Sequence, residues 1–135
     1  MSEPKEPLFI SYEQTIAIHA RQLRRFGGAP GLRGEGMLRS ALERPTNKWR
    51  YERSELADLA AAYAFGLARS RAFVDGNKRI AFLAMMTFLI KNGVPFAPDP
   101  AHVTKIILSL AAGEVSEESF TRWVRDNWPC SSPAG

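Results

Sequence analysis

The sequence is poor in the residues that catalysis and metal binding most often recruit. Among 135 residues there is one cysteine, Cys130, and there are two histidines, His19 and His102. A lone cysteine excludes an intramolecular disulfide and a thiolate metal site. No apolar run approaches the roughly 20 residues that a bilayer-spanning helix needs. Met1 to Pro7 is polar and mixed in charge, without the hydrophobic segment of a secretory signal, so a cytoplasmic protein with no membrane partner is expected. There is no internal repeat. Neither sign of charge dominates: 18 Lys and Arg stand against 14 Asp and Glu, and the basic residues are scattered over Arg21, Arg24, Arg25, Arg33, Arg39, Lys48, Arg50 and Arg53. A net charge of +4 suits an anionic ligand or an acidic partner without demanding one.

What is present is enough apolar material for one core: 45% apolar residues with 24% charged. One domain over residues 1–128 is expected, followed by a flexible Pro/Ser-rich tail, 129–135. Ser11-Tyr12-Glu13-Gln14 reads as a capping box that opens a helix, and Gly27-Gly28 stops that helix after the cationic turn Arg24-Arg25. Gly28-Ala29-Pro30-Gly31 is loop chemistry. Met37, Leu38, Ala41 and Leu42 then give a short amphipathic helix ended by Pro45. From Pro45 to Arg53, Trp49 and Tyr51 alternate with charged residues, which predicts an extended flap or short hairpin. Ser54 reads as the N-cap of a helix carrying Leu56, Leu59, Ala60, Tyr63 and Leu67 on one face.

The run Ile80 to Ile90 is apolar on every face and stops at Lys91-Asn92-Gly93, so it predicts the helix at the centre of the domain. Asp99-Pro100 pairs an N-cap with a proline at the first helical position, ahead of Val103, Ile106, Ile107 and Leu110. Ser116 caps a last helix, with Val115 and Phe120 as its staple and with Trp123, Val124 and Trp128 closing the core. The fold class is all-α: about six helices bundled around Ile80–Ile90, with the short flap.

Between two of these helices lies Phe73-Val74-Asp75-Gly76-Asn77-Lys78-Arg79. A helix that begins here offers unpaired N–H groups and the positive end of its dipole, a setting that holds phosphate. Asp75 supplies carboxylate oxygen for a hard divalent cation, and Gly76 lets the backbone approach an anion. Asn77 has an amide to donate, Lys78 is a point charge and Arg79 a planar fork for phosphate. Phe73 reads as an anchor into the core. No residue of the loop is a general base. His19 and His102 lie far along the chain and read as structural or surface residues.

Arg71-Ala72-Phe73-Val74-Asp75-Gly76-Asn77-Lys78-Arg79 resembles the motif of the Fic superfamily, and Asn77-Lys78-Arg79 resembles its death-on-curing (Doc) branch in particular. The likeness extends to the Arg25–Gly31 turn, the Ala61–Tyr63 helix, the Leu89–Gly93 helix end and the Ala112-Gly113-Glu114 turn, covering roughly residues 8–128. It implies a helical transferase of phosphoryl or nucleotidyl groups using ATP and Mg²⁺, with Asp75 as metal ligand and Gly76, Asn77, Lys78 and Arg79 on the nucleotide. For the Doc branch the implied reaction is phosphorylation of a threonine of elongation factor Tu, which blocks translation. A long cation at Lys78, where AMP-transferring members carry Gly, favours that branch. The resemblance also implies that the Trp49 and Tyr51 flap aligns the target.

Arg71 departs from the pattern, standing where the family has its catalytic histidine. Arginine stays protonated and cannot take a proton from a hydroxyl, which implies an impaired enzyme. No self-inhibitory Ser/Thr-x-x-x-Glu-Gly/Asn helix is found. The implied restraint is a separate Phd-like antitoxin, with operator DNA reached only through it. The competing readings are an AMP-transferring Fic enzyme and a catalytically dead nucleotide- or nucleic-acid-binding module.

Overall fold

Ser11 opens the first helix, α1 (Tyr12–Phe26): its Oγ accepts the Gln14 N–H at 3.0 Å, and Gln14 Oε1 accepts the Ser11 N–H at 2.8 Å. The capping box satisfies two donors at once. The structure, a computed structural model, describes residues 5–129; of the expected tail, 129–135, all but Pro129 lies outside the described residues. Five further helices follow: α2 (Glu35–Glu52), α3 (Leu56–Ser70), α4 (Asn77–Lys91), α5 (Pro100–Ala111) and α6 (Glu117–Asp126). There is no strand among the described residues, and the only bridge joins Leu32 to Phe73. The chain is all-α, as its periodicities predict.

The expected flap over Pro45–Arg53 is not there. Pro45 sits inside α2, and the helix runs on to Glu52. Leu38, Ala41, Leu42, Pro45 and Trp49 are all buried and lie three, four and seven residues apart, one continuous helical stripe that the proline does not interrupt. Proline inside a helix costs about 3 kcal/mol. Burying a large apolar side chain such as Trp49, 7% exposed, recovers a comparable amount. The helix ends instead at Arg53, in the left-handed region at φ 51°, with its N–H on the Trp49 carbonyl. The next N-cap is Glu55 rather than Ser54, since Glu55 N–H donates to Asp58 Oδ2 at 3.0 Å.

The deepest helix is α3 rather than α4. Every residue from Leu59 to Ala64 is buried, and the alanines of α3 together with Gly66 let α2, α4, α5 and α6 approach from all sides. At Gly66 a Cβ would stand 3.2 Å from the Ala41 carbonyl of α2, so the small residue sets how closely those helices pack. Against α3, α4 buries Ile80, Ala81, Ala84, Met85, Phe88 and Leu89 but leaves Ile90 64% exposed and Phe82, Leu83 and Met86 half-buried. The caps of α5 and α6 are as expected: Asp99 Oδ1 accepts the Ala101 N–H at 2.9 Å, and Ser116 Oγ accepts the Ser119 N–H at 3.1 Å.

The segment before α1 is latched onto α3 and α4. Ile10 N–H donates to the Tyr63 hydroxyl at 2.9 Å, Lys91 Nζ donates to the Phe9 carbonyl at 3.0 Å, and Asn92 pairs with the Leu8 backbone in both directions. Burial pushes the Tyr63 phenol up to about 12. Replacing Tyr63 with Phe strands the buried Ile10 N–H, and urea denaturation should show a loss of about 1–3 kcal/mol. A phenol raised in the folded state contributes its stability below its ordinary value of 10.0 and loses it as pH rises through about 12. The unaltered chain should therefore weaken across that alkaline interval and the Phe variant should not.

Candidate functional site

α3 gives way to the motif loop at Arg71, which takes φ 51° and ψ 43°. A non-glycine residue there costs about 1–2 kcal/mol. The turn is held on its far side by an extended piece of chain: Arg33 N–H donates to the Ala72 carbonyl at 2.6 Å, and Val74 N–H donates to the Gly31 carbonyl at 3.0 Å. The segment that lies beside the motif is thus Gly28–Arg33, which the sequence marks only as a glycine-rich loop. A Cβ at Gly28 would stand 3.0 Å from Asp75 Oδ2, and one at Gly31 would stand 3.2 Å from Val74. Trp49 and Tyr51, expected as the flap, are elsewhere. Trp49 is buried at the end of α2 and borders a second cavity, and Tyr51 is 78% exposed.

Phe73 is the anchor that its hydrophobicity predicts, at 2% exposed. Asn77 clamps it: Oδ1 accepts the Phe73 N–H at 3.0 Å, and Nδ2 donates to the Phe73 carbonyl at 2.9 Å. Of the donors expected for an anion, this side chain therefore retains one amide hydrogen. Asp75 accepts the Gly76 N–H on Oδ1 at 2.8 Å and the Ala29 N–H on Oδ2 at 3.2 Å. These two backbone donors, Ala29 first, hold its carboxyl below the usual carboxylate value of 3.8. Gly76, at φ 78°, is the N-cap of α4, and no side chain caps that helix. The first amides of α4 are left for something else.

They open on a cavity of about 720 Å³. Its lining carries Arg33, Arg71, Lys78 and Arg79 with Asp75, and an apolar part, with Phe82 of α4 and with Pro98, Val103, Ile107 and Leu108. None of the four cations is in an ion pair among the described residues. Arg79 is steadied by Gln22, whose Oε1 accepts from Nη1 at 3.2 Å, and by the Phe26 ring 4.2 Å below its guanidinium. The rest of its fork is open. The other cavity, about 940 Å³, lies where α2 ends; there Arg125 bonds Glu55 and Asp58, and Lys91 bonds the Phe9 carbonyl. Four cations outside any ion pair among the described residues give the smaller cavity the chemistry to hold an anion.

His19 is brought beside the loop without entering the cavity. Its Nε2 lies 2.8 Å from the Asp75 carbonyl and its ring stacks on Phe73 with centroids 3.7 Å apart. His102 is exposed in the first turn of α5. Neither is placed as a base. The sequence reading missed Arg33 and Ala29 as parts of the site, and also the inward stripe Thr15, His19 and Gln22 of α1, whose helical spacing is the signal that would have found it.

Fold and site together define a small helical protein in which a helix N-terminus without a side-chain cap, flanked by cations and one carboxylate, opens on a cavity. The chain belongs to the Fic/DOC family, whose model matches residues 9–89. It is 32% identical over 117 residues to "Protein kinase doc" of Escherichia phage P1, covering 86% of this chain and 92% of that protein. It is also 46% identical over 78 residues to "Toxin Doc" of Mycolicibacterium smegmatis, covering 55% of this chain and 58% of that one.

Gly76 is required both by its φ and by Gln22, whose Nε2 a Cβ would meet. Gly93 has nearly the same φ, 79°, with nothing within 4 Å. Gly76→Ala should therefore cost about 1 kcal/mol more than Gly93→Ala, which pays only the left-handed penalty of about 1 kcal/mol. Urea denaturation of the two variants measures the difference. The lowered Asp75 carboxyl contributes stability above the ordinary carboxylate value and loses it only as pH falls below that value. Asp75→Asn should thus change the acid limb of a stability-versus-pH curve and leave its neutral region nearly flat.

Proposed function

We propose that this chain is a Doc-type toxin: a protein phosphotransferase whose cavity takes ATP with Mg²⁺ and serves transfer of the γ-phosphate to a threonine hydroxyl of elongation factor Tu. The carrying observation is the uncapped α4 N-terminus facing Arg33, Lys78 and Arg79. Spread negative charge on a transferring phosphoryl group is stabilised by such fixed donors and cations. The relatives named as a Doc kinase and a Doc toxin support the same reading. Among the described residues there is no cluster of three metal-ligating side chains. A single carboxylate, Asp75, fits Mg²⁺ carried in by the nucleotide, because Mg²⁺ is commonly held through one or two carboxylates plus phosphates. There it would neutralise phosphate charge.

The reaction also needs a group to take the threonine proton as its oxygen bonds the γ-phosphorus and ADP leaves. Arg71 borders the cavity at the family's histidine position, and a guanidinium has no lone pair to offer. On this reading the chain as it stands binds and does not turn over. Lys78 occupies space beside α4 that AMP transfer would need for the triphosphate, which favours γ-phosphate transfer over the AMP-transferring alternative. Restraint falls to a Phd-like antitoxin whose acidic segment suits exposed Arg21, Arg24 and Arg25 on α1, with any operator DNA contacted through it. The target's location in translation makes the cytoplasm its place of action. The target-aligning role passes from Trp49 and Tyr51 to Gly31–Arg33, whose extended backbone runs beside the motif.

Calorimetry should show Mg²⁺–ATP binding that weakens about tenfold or more in Asp75→Ala or Arg79→Ala, the loss of one charged hydrogen bond. No binding, or unchanged affinity, removes the cradle from the reading. Arg71→His should switch on labelling of purified elongation factor Tu from γ-labelled ATP, since a restored general base is worth roughly 10² to 10⁴ in rate. Label arriving from the α-phosphate instead would assign AMP transfer. A folded Arg71→His protein that transfers neither would sink the phosphotransferase reading.

A further inference from the structure

α1 presents three buried polar side chains to the rest of the protein: Thr15, His19 and Gln22, exposed by 0%, 4% and 2%. Thr15 satisfies itself on the Ser11 carbonyl at 2.9 Å. The other two reach the motif loop. His19 Nε2 lies 2.8 Å from the Asp75 carbonyl oxygen. A carbonyl only accepts, so Nε2 carries the hydrogen. The same imidazole lies nearly parallel to the Phe73 ring, at 15°. One turn further on, Gln22 holds Arg79 through Oε1.

Asp75 is therefore gripped at two ends. Its carboxylate is held by the N–H groups of Ala29 and Gly76, and its carbonyl by His19. The carbonyl belongs to the Asp75–Gly76 peptide, whose plane also fixes the direction of the Gly76 N–H. We infer that His19 is a positioning residue for the anion cradle: by donating Nε2–H to the Asp75 carbonyl it locks the Asp75–Gly76 peptide plane, and with it the Asp75 carboxylate and the start of α4. The inference rests on the reading of that loop as the nucleotide site. The ring stack holds the imidazole flat, so the donor keeps its aim; the hydrogen bond is the part that sets the loop.

Two variants separate donor from ring. His19→Phe keeps an aromatic face for Phe73 and removes the donor, while His19→Gln loses the ring and places an amide N–H near the Nε2 position. Amide hydrogen exchange by NMR on the full chain should show Gly76 and Ala29, the two amides held by the Asp75 carboxylate, exchanging about tenfold faster in His19→Phe, with α6 unchanged, and Mg²⁺–ATP affinity should fall about tenfold; His19→Gln should return both to within about threefold of the unaltered chain. Nitrogen shifts of the unaltered protein should identify the Nε2–H tautomer of His19.

Unchanged exchange in His19→Phe, or a folded His19→Gln as impaired as His19→Phe, overturns the inference, the latter by making the ring the important part. Should His19→Phe fail to fold, His19→Gln decides alone: retained exchange protection supports the donor role and lost protection overturns it. An Nδ1–H tautomer overturns it without any variant. If the unaltered chain binds no Mg²⁺–ATP, the nucleotide reading falls, while the exchange and tautomer measurements still decide the role of His19.

Discussion

The clamp between Asn77 and Phe73 is the constraint on which the site depends. One side-chain amide satisfies both backbone groups of a residue four positions earlier, and it is the first residue of α4 that does so. The loop between them is thereby closed into a fixed ring, with Phe73 driven into the core at one end and α4 beginning at the other. Inside that ring Gly76 takes a left-handed conformation and Asp75 turns its carboxylate onto backbone donors. Without the clamp, the cations of the cavity would be carried on a turn free to rearrange. With it, Lys78 and Arg79 are mounted on a helix packed against α3.

The helix boundaries were largely legible because they are written in local chemistry. Ser11 with Gln14, Asp99 with Pro100, and Ser116 all cap the helices they were expected to cap. The motif loop was legible too, since its glycine, amide and cations sit in one short string. What could not be read locally was decided by packing. Pro45 has the chemistry of a helix stop, yet Trp49 gains enough burial four residues later to carry α2 through it. Likewise α4 carries the longest unbroken apolar run, Ile80 to Ile90, but the alanines of α3 let neighbours close on every side, and depth follows access rather than run length.

The members of the site that escaped notice come from α1 and the chain just after it. His19, Gln22, Ala29 and Arg33 are all distant in sequence from the motif, and each meets it only because α1 lies along α4. Thr15, His19 and Gln22 share one face of α1, but polar residues at that spacing point to no partner until the loop is in place. Arg33 was one of many scattered arginines. Only its backbone pairing with Ala72 sets it apart from the solvated ones.

The lining of the cavity is made from widely separated stretches of chain, beginning at Arg33 and ending at Ala111 in α5. Chains emerge from the ribosome N-terminal end first. The part of the cavity that α5 supplies therefore does not exist until well after the motif itself has been made. Any product cut short before α5 carries every residue of the motif and only part of the cavity lining. Order of synthesis thus separates the two: the motif is made first, and the cavity closes over it only when α5 follows.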